Sequence, residues 1–191
     1  MTRIGIIIGS TRPGRNSEQV AHWVHAQAVQ RADATYELID LAEHPLPHLD
    51  EPMSAMSGQY QNAHTKEWAE VIGSYDGFVI VTPEYNHSTS GVLKNAIDYL
   101  YAEWNNKAVG FVSYGVAGGV RAVEHLRLVA GELMLADVKT NVALSMFHDF
   151  EGFSRLTPSE MQNASLTKML DELVAWTTAL RPLREADLRS V

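Results

Sequence analysis

The 191-residue chain has no cysteine. That excludes disulfides, thiolate metal sites, cysteine-ligated iron–sulfur clusters and cysteine nucleophiles. A redox role, if there is one, therefore needs a bound cofactor. Long apolar runs are also missing. The run that follows Met1-Thr2-Arg3 is too short for a signal-peptide core, and no later run reaches bilayer-spanning length. The expectation is a cytoplasmic protein with no membrane span. Positive charge is in deficit: 15 Lys and Arg stand against 23 Asp and Glu, a formal net charge of −8. A nucleic-acid partner needs a basic surface, so none is expected. Internal repeats and low-complexity stretches are absent too. What remains, 46% hydrophobic and 20% charged residues, is the composition of one domain over residues 1–191 with a sizeable core.

Within that domain, apolar runs alternate with helical patterns. Residues 3–9 are dominated by isoleucine without polar alternation, the mark of a strand buried on both faces of a parallel sheet. Asn16 or Ser17 is placed to cap a helix carrying Val20, Ala21, Trp23, Val24, Ala28 and Val29 at helical spacing, with Glu18 at its positive end. Residues 36–41 form a second strand. Residues 42–64 carry Pro45, Pro47, Pro52, Met53 and Met56 and no clear period, a functional or interface loop. A helix follows from a Thr65 cap through Tyr75. Strands are expected at 77–83, 107–114 and 137–144, with helices at 91–104, at about 120–135 and from Pro158 to about Leu180. Residues 147–156 read as a loop. This order gives an α/β fold with right-handed crossovers, a five-stranded parallel sheet in the flavodoxin-like order 2-1-3-4-5 and helices on both faces in three layers. Ligands of such sheets sit outside the carboxyl ends of the strands, where the order reverses.

Three polar loops open there. The first, Ser10 to Ser17, has neither the spacing of a nucleoside-triphosphate loop nor that of a dinucleotide-binding loop. It offers the hydroxyls of Ser10, Thr11 and Ser17, the Asn16 amide and the guanidinium groups of Arg12 and Arg15, a donor set suited to a phosphate. In the second, Pro83 ends the strand, and Glu84, Tyr85, Asn86 and His87 offer backbone groups and an aromatic face to a planar heterocycle. Glu84 reads as a solvated or locally paired carboxylate rather than a catalytic acid. The third, Tyr114 to Gly119, carries Gly115, Gly118 and Gly119, which allow close approach and positive φ. The eight histidines are scattered without metal-ligand spacing, so no metal is expected, and no serine sits in a nucleophile elbow.

Three stretches taken together carry a resemblance: Gly9-Ser10-Thr11-Arg12 with Asn16-Ser17, Pro83-Glu84-Tyr85-Asn86 running into Gly91 to Asp98, and Ser113-Tyr114-Gly115 with Gly118-Gly119. They resemble the NADPH-dependent FMN reductase family of flavodoxin-like proteins, over roughly residues 3–145. The resemblance implies an FMN cofactor whose phosphate is held by Ser10, Arg12, Asn16 and Ser17. Arg15 is placed near the FMN phosphate, the NADPH 2′-phosphate or solvent. Pro83, Glu84, Tyr85 and Asn86 line the isoalloxazine. Gly115, Gly118 and Gly119 border its pyrimidine edge, with Ser113 counted among the cofactor-binding residues. The implied activity is hydride transfer from NADPH or NADH to FMN and then to a quinone, azo, flavin or metal-oxyanion acceptor, by a ping-pong mechanism. The flavin carries the chemistry and no catalytic side chain is assigned; Tyr85 and His87 are the candidate substrate contacts. The alternative is a flavodoxin-type electron carrier or flavin-binding module without its own NAD(P)H turnover. A homodimer or dimer of dimers is implied, and the 91–104 helix, with Tyr99, Tyr101 and Trp104 near its end, is expected to pack partly on a second subunit.

Overall fold

The structure, a computed structural model, describes residues 1–187. Four full strands form the sheet: β1 (Arg3–Ile8), β2 (Thr35–Asp40), β3 (Gly77–Pro83) and β4 (Ala108–Gly115). Two short strands, β5 (Ala136–Asp137) and β6 (Val142–Ser145), both pair with β4. Every pairing is parallel and the order is β2-β1-β3-β4-β5. The helices are α1 (Ser17–Ala28), α2 (Ala63–Gly73), α3 (Gly91–Asp98), α4 (Val120–Glu132) and α5 (Glu160–Asp187).

Side chains alternate across the pleat, and both faces are apolar. Ile4, Ile6, Ile8, Val79, Val81 and Val112 pack with α1 and α5. Ile7, Ile39, Phe78, Ile80, Val109 and Phe111 pack with α2, α3 and α4. This is the three-layer arrangement that the unbroken apolar runs predict.

Five local expectations are corrected. The fifth strand is not continuous over 137–144. Arg127 takes the carbonyls of Val138 (3.0 Å) and Lys139 (3.1 Å), and the Thr140 amide donates to Glu172 of α5 at 2.8 Å. Those bonds draw the chain off the ladder between β5 and β6. Helix α2 begins at Ala63, not at a Thr65 cap, because the Glu51 carboxylate accepts from the amides of Gln61 and Asn62 at 2.9 Å each. A carboxylate there satisfies orphan donors and suits the helix dipole. Helix α3 ends at Asp98. Beyond it, Tyr99 and Trp104 are 0% and 1% exposed, so they belong to this subunit's own core and not to an interface. The Tyr99 phenol donates to Asp50 at 2.9 Å and so ties down the 42–64 loop. A hairpin, β7 (Phe150–Glu151) and β8 (Arg155–Leu156), replaces the loop expected at 147–156. Finally, α5 starts at Glu160, with Ser159 Oγ accepting from Gln162 N at 3.4 Å and the Ser159 carbonyl from Asn163 N at 3.0 Å, and runs on past Leu180 through Pro182.

Candidate functional site

The first loop leaves β1 at Gly9. A Cβ there would lie 2.5 Å from the Val81 carbonyl, so only glycine lets the chain pass β3 this closely. Gly9 N donates to Val81 O at 2.8 Å, and Ser90 Oγ donates to Gly9 O at 2.5 Å. Arg12-Pro13-Gly14-Arg15 then turns back on itself, with Arg15 N donating to Arg12 O at 3.1 Å and Gly14 at φ 70°. Proline second and a positive-φ glycine third are the signature of a type II turn. The chain next enters α1. Among the described residues, no internal acceptor is found for the amides of Asn16, Glu18 and Gln19, while the Ser17 amide faces the Tyr114 phenol oxygen. Ser17 Oγ is buried without a hydrogen-bond partner of ordinary geometry, although the Tyr114 phenol is close enough to feel it. A row of free N–H groups at the positive end of a twelve-residue helix, with an orphaned hydroxyl among them, is a cradle for an anion.

The two arginines of this loop differ. Arg12 is exposed, and no hydrogen bond or ion pair of its guanidinium is found among the described residues. Arg15 grips both oxygens of Asp40 at 2.8 and 2.5 Å and donates to Ser10 O at 2.7 Å. The hydrogen bond to Asp40 raises its pKa further, so it is a fixed cation. Arg15 thus clamps the loop to the end of β2.

The second loop is a tight reversal. Tyr85 N donates to Ser88 O at 2.8 Å and Ser88 N to Tyr85 O at 3.2 Å. Between them Asn86 and His87 sit at φ 49° and 77°, a strained backbone for a histidine. The Tyr85 hydroxyl shares a 2.9 Å hydrogen bond with Ser10 Oγ, which joins the second loop to the first. Glu84, its side chain 6% exposed, is ion-paired with Arg121 and accepts from the Arg121 amide at 3.2 Å, so it is the locally paired carboxylate that was expected. It also caps α4, whose preceding residue Gly119 has no side chain to do so. His87 Nδ1 lies 3.3 Å from the Arg121 guanidinium, and His125 Nδ1 lies 2.9 Å from Ser88 Oγ.

In the third loop, Gly118 N donates to Gly115 O at 3.0 Å, and Gly118 and Gly119 have φ 71° and 73°. The site of a Cβ on Gly115 lies 3.4 Å from Glu84 Cβ, so this loop touches the second. Ser113 is buried and donates to Gly118 O at 2.7 Å; its hydroxyl shapes the loop from beneath. Burial pushes the Tyr114 phenol up to about 12, so it stays a neutral donor. A cleft of ≈ 460 Å³ adjoins the first loop at Thr11, between Leu41–His48 and the start of α3.

The structure brings Ser10, Tyr85, Glu84 and the glycine loop to one sheet end. Asn16 reaches across to the β7–β8 hairpin, its Nδ2 donating to Phe153 O at 3.1 Å. The residues that sequence reasoning missed are Asp40, Ser90, Arg121 and the hairpin phenylalanines. Asp40 ends a strand and Arg121 begins a helix, and only the parallel register places them beside Arg15 and Glu84. Ser90, three residues before Leu93, carried a readable cap signal: its Oγ accepts from Leu93 N at 3.2 Å. Among the described residues there is no group of three or more metal-ligating side chains, and no helix is long and apolar enough to cross a membrane.

With this geometry in place, likeness to known proteins is specific. An NAD(P)H-dependent FMN reductase of Schizosaccharomyces pombe is 40% identical over 149 residues, 77% of this chain and 74% of that protein. An FMN-dependent NADPH-azoreductase of Staphylococcus haemolyticus is 32% identical over 142 residues, 72% of this chain and 74% of the other. Among solved structures, the flavoenzyme NAD(P)H:(acceptor) oxidoreductase FerB of Paracoccus denitrificans shares the fold, with a TM-score of 0.72 at 20% identity over 94% of this chain and 98% of its own. The profile of the NADPH-dependent FMN reductase family matches residues 2–149, and the chain belongs to that family.

Proposed function

We propose that the chain is an FMN-dependent NAD(P)H oxidoreductase that passes two electrons to a small-molecule acceptor. With a quinone the balance is NAD(P)H + H⁺ + quinone → NAD(P)⁺ + hydroquinone. The observation that carries this reading is the group of partnerless donors at the start of α1, found among the described residues: the amides of Asn16, Glu18 and Gln19, buried Ser17 Oγ and free Arg12. They fit the phosphate of FMN, which presents a dianion with acceptors on three sides. Ser10, Asn16 and Ser17 belong to this grip, with Arg12 closing it from solvent and Arg15 holding its shape through Asp40.

FMN, when bound, supplies a centre that accepts and donates a hydride. The chain's residues bind and orient it. Pro83 to Asn86 form one wall, where the amides of Asn86 and His87 have no internal acceptor among the described residues and can read a polar ring edge. Gly115, Gly118 and Gly119 form the other, low enough for a flat ring to lie against backbone. His87 and Tyr85 stand at the rim where a substrate enters. A homodimer or dimer of dimers belongs to the same reading. Exposed Leu49, Met53, Met56 and Val92 lie on the 42–64 loop and on α3. Acceptor classes consistent with the family are quinones, azo compounds, free flavin and metal oxyanions.

The test is purification and a spectrum. A yellow protein that releases FMN on denaturation, and that NADPH or NADH bleaches in the absence of any other protein, supports the reading. Protein that does not bind FMN refutes it. Flavin that stays oxidised under NADPH until a reductase is added returns the electron-carrier alternative.

A further inference from the structure

One feature of the flavin end of the sheet has no role in the fold. Phe147 and Phe153 are 60% and 56% exposed. Their rings meet edge to face, centroids 5.5 Å apart at 77°. The backbone beneath them is fixed. Buried Asp149 accepts from Ser145 N at 2.7 Å, Phe147 N donates to Ser145 Oγ at 3.2 Å, and Gln19 Nε2 donates to Ser154 O at 2.5 Å. Phe150, inside the same hairpin, packs on Tyr114 with ring centroids 6.1 Å apart. The two exposed rings are therefore held rigidly rather than left loose.

Phe153 is also conformationally costly. It follows Gly152 in the three-residue loop 152–154 of the β7–β8 hairpin, and both have φ 57°. Such a turn favours Asn or Gly. A bulky aromatic in the left-handed region is strained, and strain of this kind collects at functional sites. The chain thus accepts two penalties, backbone strain and an apolar ring in water, to keep this ring in place. The position is informative. Met146 N donates to Gly115 O at 3.0 Å in the third loop, and Asn16 of the first loop holds the Phe153 carbonyl. The pair therefore spans the rim between the phosphate loop and the glycine loop.

We infer that Phe147 and Phe153 form an aromatic platform that binds the electron acceptor, and that the acceptor is a planar ring compound such as a quinone rather than a metal oxyanion. This rests on the oxidoreductase reading above. The platform presents apolar ring surface, and the hairpin's arginine, Arg155, pairs with Glu151. A flat ring gains offset or edge-to-face contact with both phenyl groups, which an oxyanion does not. A second copy of the chain is a poor occupant of this surface alone. Two partly exposed phenyl side chains, at roughly 150–250 Å² each when whole, fall well short of the roughly 800 Å² that each partner of a stable interface buries.

The test uses holoenzyme and the substitutions Phe147→Ala and Phe153→Asn. Asparagine tolerates positive φ, so Phe153→Asn removes the ring while easing the turn, and its melting temperature should be at or above that of the wild type. The dissociation constant of anthraquinone-2-sulfonate for the oxidised holoenzyme, measured by calorimetry, should rise about ten-fold in the double variant. The ratio of kcat/KM for menadione to that for ferricyanide should fall by about the same factor. Three results overturn the proposal: an unchanged anthraquinone constant, a parallel fall with both acceptors, or a changed sedimentation coefficient, which would make the pair a subunit contact. Those outcomes presuppose a yellow, NADPH-oxidising wild type. A wild type that neither holds FMN nor oxidises NADPH sinks the oxidoreductase reading and the platform with it.

Discussion

At the N-terminal ends of the strands, Asp76 accepts from the Arg3 amide at 2.9 Å and from Arg184 at 3.1 Å. Arg3 also grips Glu37 at 3.1 Å and lies 4.8 Å over the Tyr75 ring. Lys107 Nζ, on a side chain 6% exposed, donates to Ile72 O at 2.9 Å and sits over Phe78. A cavity of ≈ 580 Å³ lies among these groups, larger than the ≈ 460 Å³ cleft beside Thr11 at the other end. Yet Asp76, Lys107, Arg181 and Arg184 around it are each hydrogen-bonded within the chain. At the C-terminal ends, among the described residues, the helix-start amides of Asn16, Glu18 and Gln19, Ser17 Oγ and Arg12 lack internal partners, and Asn86, His87 and Phe153 hold positive φ. Neither cavity size nor positive φ separates the two ends, since Asn106 and Met134 at the closed end also hold positive φ; the free helix-start amides and Arg12 do. One end closes the fold, and the other is built for something outside the chain.

The sharpest way to break that contrast is Gly119→Ala. The residue sits at φ 73°, and an added Cβ would lie 2.8 Å from Ser113 Cβ and 2.9 Å from Tyr114 N. Left-handed backbone and overpacking together should cost about 2–5 kcal/mol, with loss of flavin retention, read by denaturant titration and bound FMN. A variant of wild-type stability would mean that the third loop is not a rigid wall.

Next comes the closed end. Burial, and then the nearby Arg184, lower the Lys107 pKa from 10.5 to about 8, against the smaller pull of Asp76 and Glu103. Between those two values the unfolded chain binds more protons than the folded one. Linkage then makes stability rise with pH from about 8 and level off near 10.5. The gain is up to about 3 kcal/mol. Urea titrations at pH 8 and pH 10.5 should show this slope in the wild type and a flatter one in Lys107→Met. Equal slopes would show that Lys107 is not the buried charge it looks like.

How far the primary structure announces each end differs for a physical reason. Unbroken runs such as Ile4–Ile8 and Gly77–Pro83 announce buried parallel strands, because burial on both faces leaves a local signature. The phosphate loop is legible for the same reason: its glycines, hydroxyls and helix start are contiguous. Long-range pairings leave no such mark. Asp40 clamps Arg15 from 25 residues away, Glu84 meets Arg121 across two strands, and Glu172 breaks the fifth strand from α5. The Phe147–Phe153 platform was hidden by a hairpin only two residues long on each side, where Gly152 was the one local cue. Tyr99 and Trp104 misled for the opposite reason. Aromatic surface near the end of the 91–104 pattern suggests packing on a second subunit, but the helix stops at Asp98 and both rings are buried within this chain.

At the open end, Arg12→Ala should weaken FMN retention about ten-fold or more, since a charge-assisted contact to phosphate is worth about 1.5–3 kcal/mol. Arg12 touches nothing that the fold needs, so the denaturation midpoint should shift by less than about 0.5 kcal/mol. Arg15→Ala is the control. It strips Asp40 and Ser10 O of their partner, and it should lower stability and flavin affinity together. Equal effects of the two substitutions on both readouts would erase the distinction between a ligand-facing and a loop-holding arginine.

The smallest effect tests the contrast most finely. Ser17 Oγ is buried and unpartnered. A buried hydroxyl without a hydrogen bond costs the fold, and replacing it with a methyl-sized group relieves that cost. Ser17→Ala should therefore leave the flavin-free protein as stable as the wild type or more so, by up to about 1 kcal/mol. The same change should weaken FMN binding about five-fold, because the hydroxyl gains a phosphate oxygen only when the cofactor is present. Opposite signs in two titrations of one variant are the signature of a group kept for a ligand. If flavin-free stability falls instead, Ser17 is already serving the fold through Tyr114, and the free donors at this end reduce to the backbone amides and Arg12.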